Sequence, residues 1–342
     1  MQLEDFGWSG FFAVQHCPGI PARVASASRD RFSVWTETGK LEAVVSGELR
    51  RSGSAWPAVG DWVALRPGAS VIEHVFERKT LLSRKQPGKA IQEQVLAANI
   101  DVLFIISGLD HDLNQRRLER YLVVAEQSGA RPIILLNKAD LYGAHHLELS
   151  NIRDRLTAWS GAPVLPISAA TGQGLEQLDL SLVAGETAAL IGSSGVGKST
   201  LVNRLLRHNL QAIGEVRPDD DRGRHTTTTR SMFLTPGGWL LIDMPGLREV
   251  QLWASTEHLD ASFEDIQQMA QGCRFRDCSH AGEPGCALCG SGIDSERLAS
   301  YRKLQRELDY LDRKADKRLM SESRARWKTI HKSMRHHPKK PW

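Results

Sequence analysis

The sequence lacks long apolar runs and any strong excess of charge. The longest apolar segments, Val102 to Ile106 and Ile133 to Leu136, have the length of a strand, far short of the about 18 residues of a membrane-spanning helix. The chain starts with acidic residues where an export signal would carry basic ones. Lys and Arg number 44 against 40 Asp and Glu, so the net charge is only +4. We therefore expect a cytoplasmic protein with no membrane partner, and not a polycation as a whole.

Cysteine is also scarce, which excludes a disulfide-rich scaffold. There are five cysteines, of which Cys273, Cys278, Cys286 and Cys289 lie within 17 residues and Cys17 stands alone. In a chain without an export signal, such clustering favours a metal site over disulfides.

The first 77 residues have the pattern of an all-β domain. Hydrophobic residues (41%) and charged residues (25%) are at ordinary globular levels, and 342 residues favour two or three domains. Residues 1–77 contain short β-branched and aromatic runs between turn clusters, which predicts a small closed barrel. The runs are Arg23 to Ala27, Phe32 to Thr36, Leu41 to Val45, Asp61 to Leu65 and Val71 to Phe76. Such a barrel either binds oligonucleotides or has a purely structural role, and the pattern does not separate the two.

The remaining chain divides into a linker and two further domains. Residues 78–95 are basic and contain Pro87-Gly88, which predicts a linker. Residues 96–253 alternate apolar strands with helices, which predicts a doubly wound, mostly parallel α/β domain. The expected strands are Asp101 to Ser107, Pro132 to Asn137, Pro163 to Ile167, Thr187 to Ile191 and Trp239 to Ile242, and the expected helices are Asn114 to Ser128, His146 to Ser160 and Leu201 to His208. Residues 254–342 carry the cysteine cluster and then an apolar helical stripe of Leu304, Leu308, Leu311 and Ala315.

The α/β region contains a phosphate-binding loop. The sequence G-S-S-G-V-G-K-S-T fits the pattern G-x-x-x-x-G-K-[ST] between a strand and a helix. Its members are Gly192, Ser193, Ser194, Gly195, Val196, Gly197, Lys198, Ser199 and Thr200. Backbone N–H groups converge on phosphate oxygens in such a loop, the lysine reaches the β- and γ-phosphates and the Ser199 hydroxyl binds Mg²⁺. The pattern predicts a nucleoside triphosphate site.

Two short motifs predict that the base is guanine. Asn137-Lys138-Ala139-Asp140 follows a buried strand, at the edge where ligands of open α/β sheets bind. The Asp140 carboxylate can accept from N1–H and the exocyclic amine of guanine, a donor pair that adenine lacks. Ser168-Ala169 follows the next strand and would bring backbone N–H groups near O6 of the base.

Two further segments predict a sensor of the γ-phosphate. Asp243-Met244-Pro245-Gly246 fits D-x-x-G, in which the carboxylate holds Mg²⁺ through water and the glycine N–H meets the γ-phosphate. Between this motif and the phosphate-binding loop lies Gly223 to Thr229, where a threonine hydroxyl, which we assign to Thr227, would bind Mg²⁺. Four adjacent threonines are also compatible with an edge strand.

The order of these motifs is unusual for a guanine-nucleotide-binding domain. Common GTPases run from the phosphate-binding loop through D-x-x-G to N-K-x-D, whereas this chain places N-K-A-D and Ser-Ala first. The domain is therefore predicted to be circularly permuted, so that D-x-x-G leads directly into the C-terminal region.

The chain resembles the bacterial ribosome small subunit-dependent GTPases of the RsgA (YjeQ) family over nearly its whole length. The permuted order, E-Q-V-L-A-A-N-I-D (Glu93 to Asp101), G-R-H-T-T-T (Gly223 to Thr228) and C-R-F-R-D-C-S-H-x-x-E-P-G-C (Cys273 to Cys286) match that family. The resemblance implies an N-terminal OB-fold barrel, a permuted GTPase domain and a C-terminal, mainly helical zinc domain. It implies a GTP-hydrolysing factor that binds the small ribosomal subunit and its rRNA late in maturation, with hydrolysis coupled to release. The expected partners are therefore the subunit and GTP or GDP, and we expect a monomer.

The spacing of the cysteines and the family resemblance predict different sets of zinc ligands. Spacing alone favours Cys273, Cys278, Cys286 and Cys289. The family pattern instead implies one Zn²⁺ held by Cys273, Cys278, His280 and Cys286, which leaves Cys289 free.

Catalysis is expected to depend on an outside group. A glutamine after D-x-x-G orients the attacking water in Ras-like proteins, and here that position is Leu247, which cannot hydrogen-bond water. We expect slow intrinsic hydrolysis, with His225 or a ribosomal group placing the water; His225 is equally compatible with a solvated loop residue. The catalytic residues would be Lys198, Ser199 and, where it places the water, His225. Two alternatives remain: a P-loop small-molecule kinase with a structural zinc module, and a GTP-dependent RNA-binding scaffold with negligible hydrolysis.

Positive charge is concentrated at the end of the chain. Residues 301–342 contain 14 Lys or Arg and 5 Asp or Glu, whereas residues 1–300 contain 30 and 35. From Arg324 onward there is no acidic residue, which predicts an arm that contacts RNA phosphates.

Overall fold

The structure, a computed structural model, describes residues 2–28, 30–86, 93–143, 145–213, 230–244, 255–276, 278–290 and 292–312, with side chains of residues 207–213 left aside. Two compact units make up the chain, residues 1–84 with 94–253 and residues 85–93 with 254–342. None of the helices in these ranges has the length and apolar character needed to cross a bilayer.

A closed five-stranded barrel opens the first unit, after a 3-10 turn (Leu3–Phe6) and helix α1 (Gly10–Ala13). The strands are β1 (Ile20–Ser28), β2 (Arg31–Thr36), β3 (Gly39–Val45), β4 (Trp62–Leu65) and β5 (Val71–Val75), with helix α2 (Gly47–Arg51) between β3 and β4. The ring closes because β1 pairs with both β2 and β4, while β5 pairs with both β3 and β4. Alternate side chains fill its interior, where Val24, Phe32, Val63 and Ile72 are fully buried. The predicted barrel is confirmed.

A two-stranded sheet follows the barrel. Strands β6 (Leu81–Lys85) and β7 (Glu93–Ala98) pair with each other. Residues 78–95, which the sequence predicts as a linker, thus contain β6 and the start of β7. Apolar residues in both strands, Leu82 and Leu96, are fully buried and account for the regular structure.

The second half of the first unit is a mostly parallel sheet. Its strands are β8 (Val102–Gly108), β9 (Arg131–Asn137), β10 (Val164–Pro166), β11 (Thr187–Gly192), β12 (Ser231–Leu234) and β13 (Leu240–Asp243). Their order is β10-β9-β8-β11-β13-β12, in which β12 alone runs antiparallel to its neighbour β13. The helices are α3 (Gln115–Ser128), α4 (His146–Ser160), α5 (Glu176–Ser181) and α6 (Lys198–Ile213). Strands β8 and β11 are buried along their length and β9 from Ile133 onward, which confirms the predicted α/β fold.

The barrel and the parallel sheet are joined within the first unit. Ser26 of β1 pairs with Ser231 of β12, so the strands form one continuous sheet. Beside this junction Arg23 of β1 is 1% exposed and donates hydrogen bonds to the carbonyls of Phe6 and Asn99, each over 3.0 Å. It also donates to the Thr187 hydroxyl over 3.1 Å. One buried guanidinium thus links the N-terminal turn, the barrel and the parallel sheet.

The second unit is mainly helical in its described residues. Helices α7 (Thr256–Ser262) and α8 (Glu264–Ala270) precede the cysteine-rich loops, and α9 covers residues 295–312. Leu304 and Leu308 are buried, as the apolar stripe predicts, and Ala315 lies outside the described residues. The rings of Phe263 and Tyr301 meet at 5.4 Å between centroids, which fixes α9 beside α7 and α8.

Candidate nucleotide and metal sites

The predicted nucleotide motifs meet at one edge of the parallel sheet. Strands β10, β9, β8, β11 and β13 all run in the same direction, so their carboxyl ends share that edge. There β11 leads into the phosphate-binding loop, β9 into Asn137-Lys138-Ala139-Asp140 and β13 into Asp243. Ser168 and Ala169 follow β10. This is the position at which open α/β sheets bind ligands.

The phosphate-binding loop has its glycines where the backbone is crowded. Gly197 has φ +101°, and a Cβ atom there would lie 2.3 Å from the Asn137 amide nitrogen. Glycine is required because any side chain would force the two motifs apart. Helix α6 begins directly after it, at Lys198, so that the free N–H groups of its first turn point toward the loop.

The lysine of the phosphate-binding loop donates hydrogen bonds to carbonyl groups of the same loop. Lys198 Nζ donates to the carbonyls of Gly192 (2.7 Å) and Ser193 (2.5 Å). Burial lowers the pKa of Lys198, while the negative charge of Asp112 acts in the opposite direction. The hydrogen bonds to Gly192 and Ser193 keep the ammonium group beside the loop, where phosphate oxygens are predicted to bind.

Asn137 connects the base motif with the phosphate motif. Its side chain is 3% exposed; the amide nitrogen donates to the Val196 carbonyl over 2.7 Å, and the amide oxygen accepts from the Ala169 N–H over 2.8 Å. Three segments predicted from separate sequence motifs are therefore fixed to one side chain. The next residue, Lys138, has φ +69°, which turns the chain so that Asp140 lies exposed at the start of a 3-10 turn (Ala139–Tyr142).

A loop without a recognisable sequence motif contacts both the N-K-A-D motif and the phosphate-binding loop. It connects β8 with α3 and contains Asp110 and Asp112. Asp110 accepts from Lys138 Nζ, and this hydrogen bond lowers the pKa of the Asp110 carboxyl group. Asp112 accepts from the Ser193 hydroxyl over 2.5 Å and from Arg117 over 2.8 Å. No pattern in the sequence reveals this role, because it depends on β8 and β11 being neighbours.

The predicted γ-phosphate sensor is described only in part. Asp243 ends β13 and pairs in register with Ser231 of β12, beside the phosphate-binding loop. Thr227, His225 and Gly246 lie outside the described residues, and so does Leu247.

The second unit brings the predicted metal ligands together. One nitrogen or sulfur atom from each of Cys273, Cys278, His280 and Cys286 lies within 4.8 Å of the others. Cys273 Sγ is 3.5 Å from His280 Nδ1 and 4.0 Å from Cys286 Sγ. Tetrahedral coordination with bonds of about 2.3 Å places sulfur ligands about 3.8 Å apart, so this group can hold a metal ion such as Zn²⁺. Cys289 is exposed and outside the group, contrary to the four-cysteine alternative.

The loop between the ligands is held in shape by hydrogen bonds to one carboxylate. The Glu283 carboxylate accepts from the backbone N–H groups of Ser279 (3.0 Å) and Ala281 (2.8 Å), and also from the Ser279 hydroxyl. These hydrogen bonds lower the pKa of Glu283 to about 2. Burial raises the pKa of Cys286, but hydrogen bonds, chiefly that with His280, bring it down to about 6, which favours the thiolate that a metal requires.

Comparisons with known proteins agree with the motifs. The model of the RsgA GTPase family matches residues 75–253. The chain is 44% identical to the small ribosomal subunit biogenesis GTPase RsgA of Opitutus terrae, over 98% of this chain and 97% of that protein. It is 40% identical to RsgA 1 of Listeria innocua, over 99% of each chain.

Two solved structures have the same fold. YjeQ from Thermotoga maritima is 27% identical and superposes with a TM-score of 0.63, over 84% of this chain and 98% of that one. YloQ, a circularly permuted GTPase, is 21% identical with a TM-score of 0.60, over 86% and 96% of the two chains. The predicted permutation and the predicted resemblance are both confirmed. The chain therefore belongs to the RsgA GTPase family and is a GTP hydrolase.

Proposed function

We propose that this GTPase takes part in the biogenesis of the small ribosomal subunit. It binds the subunit and its rRNA late in maturation, hydrolyses GTP faster when bound, and leaves after hydrolysis. The observation that carries the proposal is the match over 98% of the chain to a relative named for this process, which includes the barrel and the metal-ligand segment as well as the GTPase core. The kinase alternative is not favoured, because the relatives over the same length are GTPases.

In the nucleotide site, we assign roles by the chemistry of each group. Lys198 holds the β- and γ-phosphates, and Asp140 pairs with the guanine edge. Ser199 and Asp243 would hold the Mg²⁺ that GTPases use, Asp243 through water, with Thr227 as the proposed third contact. When bound, that ion neutralises phosphate charge. The hydrogen bonds of Lys198 and Asn137 support this assignment, since they hold the phosphate-binding loop, the N-K-A-D motif and Ala169 together.

Hydrolysis by the isolated chain is proposed to be slow. Leu247 occupies the position of a water-orienting residue and has no hydrogen-bonding group. The water would be placed by His225 or by a group from the ribosome once the complex forms. If turnover stimulated by the subunit is unchanged in H225A, His225 has no such role.

The flanking regions are proposed to contact the subunit. One Zn²⁺ per chain, held by Cys273, Cys278, His280 and Cys286, would stabilise the region that carries the basic arm; the spacing of the ligand atoms supports this ion. The barrel (residues 1–77), which precedes a GTPase domain of residues 96–253 in the sequence, and the arm from Arg324 onward, which follows it, would contact rRNA. The factor is proposed to act as a monomer in the cytoplasm.

The test compares turnover of GTP and ATP with and without purified small ribosomal subunits. We expect slow GTP turnover alone, a large increase with subunits, and no comparable turnover of ATP. A chain truncated before Arg324 serves to test the arm, and its binding should depend less on salt because fewer phosphates are contacted. Absence of any stimulation by subunits would refute the proposed function, and equal turnover of ATP would refute the guanine assignment.

A further inference from the structure

Arg204 connects the helix after the phosphate-binding loop to the loop after β10. It lies on α6, which begins at Lys198, and its side chain is half-buried. Its Nε donates to the Ala169 carbonyl over 2.8 Å, and its second terminal nitrogen donates to the Ala170 carbonyl. One guanidinium therefore holds two consecutive peptide groups of the segment in which Ser168 and Ala169 are predicted to meet the base.

The loop is shaped to receive this guanidinium. Gly172 has φ +93°, and a Cβ atom on it would lie 3.0 Å from a terminal nitrogen of Arg204. Around it the loop is closed by its own hydrogen bonds, from Gly172 N–H to the Ser168 carbonyl (2.8 Å) and from Thr171 N–H to the Ser168 hydroxyl (3.1 Å). Arg204 thus packs against a compact turn rather than a loose segment.

One N–H group of the turn remains available for a ligand. The Ala169 N–H is bonded to Asn137, while the Ala170 N–H donates to no protein group in the described part of the chain. The Ala169 carbonyl and the Ala170 N–H belong to one planar peptide and point in opposite directions. A charged donor on the carbonyl fixes that peptide and polarises its N–H group, which makes it a better donor.

We propose that Arg204 is a positioning residue for the base, which aims the Ala170 N–H at O6 of the purine. The inference rests on the proposed guanine site, to which it adds a residue on the phosphate side. It predicts that Arg204 matters for purines with an oxygen at position 6, that is for guanine and hypoxanthine, and not for adenine.

The test measures dissociation constants of GDP, IDP and ADP for the full chain by competition with a fluorescent GDP analogue. Arg204→Ala should weaken both GDP and IDP about tenfold, the effect of losing one good hydrogen bond to a polarised donor, and leave ADP unchanged. Arg204→Lys keeps the charge and one carbonyl contact, so its constants should fall between those of wild type and R204A. With GTP as substrate, R204A should raise KM and leave kcat within about twofold.

Two comparison variants separate the possible causes. Asp140→Ala should weaken GDP more than IDP, because hypoxanthine lacks the 2-amino group that Asp140 is proposed to bind. Arg155→Ala, the same truncation on the exposed surface of α4, should change none of the three constants. Thermal midpoints of all variants identify any that fail to fold, and R204K then carries the comparison.

Four results would overturn the proposal. R204A could leave the GDP constant unchanged, or weaken GDP, IDP and ADP equally, which would indicate a general effect on the phosphate cradle. A lowered kcat at unchanged KM would place Arg204 in the chemical step instead. If the wild-type chain bound ADP as tightly as GDP, the guanine site itself would be refuted, and the Arg204 inference with it.

Discussion

Removal of the buried guanidinium of Arg23 should destabilise the first unit strongly. The side chain is 1% exposed and stacks over Trp62, with 5.4 Å between the guanidinium carbon and the ring centroid. Burial lowers its pKa to about 10, against the opposing influence of Asp101 and Asp61. In R23A the hydrogen-bond acceptors that the guanidinium satisfies lose their donor.

The magnitude follows from those acceptors. Each buried carbonyl left unsatisfied, at Phe6 and at Asn99, costs about 1–3 kcal/mol, and the vacated space adds a cavity loss. The charged group no longer has to be desolvated, which offsets part of the loss. We expect the free energy of unfolding to fall by about 3–5 kcal/mol, which is the cost of the two carbonyls and the cavity less the gain in desolvation. R23M should lose less than R23A, because its side chain fills most of the space.

Urea unfolding followed by tryptophan fluorescence measures this change, since Trp62 lies directly under the guanidinium. Arg51→Ala is the matched control: Arg51 is exposed at the end of α2, and its truncation should change stability by less than about 0.5 kcal/mol. If R23A unfolds within about 1 kcal/mol of wild type, the three hydrogen bonds make no net contribution and the reasoning fails.

Three further predictions concern the two candidate sites and the second unit. Cys273→Ala should abolish bound zinc, measured by elemental analysis, whereas Cys289→Ala should retain one ion per chain; loss in both would contradict the ligand set. Asp112→Ala should weaken GDP and GTP to a similar extent in a binding titration, because the P-loop serine loses its acceptor, while an unchanged affinity would show that the loop needs no such support. The hydrogen bonds from Arg297 lower the pKa of Asp265 in the folded protein. The ionised carboxylate therefore stabilises the fold fully at pH values above the ordinary Asp pKa of about 3.9, and this stabilisation is lost as the pH falls through the lower pKa of the folded state. Asp265→Asn should therefore lower stability at pH 7 and reduce its loss on acidification in unfolding curves, and an unaltered pH dependence would refute this origin.

The sequence predicted well those elements that local pattern determines. Helix α4 has the predicted bounds, His146 to Ser160, and it ends where Gly161 adopts a left-handed conformation. The buried strands β8, β9 and β11 were recognisable because both of their faces are covered, so they form continuous apolar runs. Helix α6 is longer than predicted, reaching Ile213, since polar residues at its end hide the periodicity.

Features that depend on distant neighbours could not be predicted. Strands β6 and β7 lie in a basic segment with a Pro-Gly pair, and only their pairing and burial make them regular. The roles of Asp112 and Arg204 arise from strands adjacent in space and remote in the chain. For the metal ligands, spacing alone favoured Cys289 over His280. The structure instead groups His280 with the other three cysteines, and the left-handed backbone at His280, with φ +57°, is a feature that spacing does not show.

The pairing of Ser26 with Ser231 also bears on the free edge of the parallel sheet. Strand β12 ends the parallel sheet, and in a core separated from the barrel its outer side would present free N–H and C=O groups to other molecules. Strand β1 pairs with that edge at Ser231, and the barrel in turn closes on itself through β1 and β4. The barrel therefore blocks one end of that edge against pairing with another chain, an effect that residues 1–77 have whether or not they touch RNA.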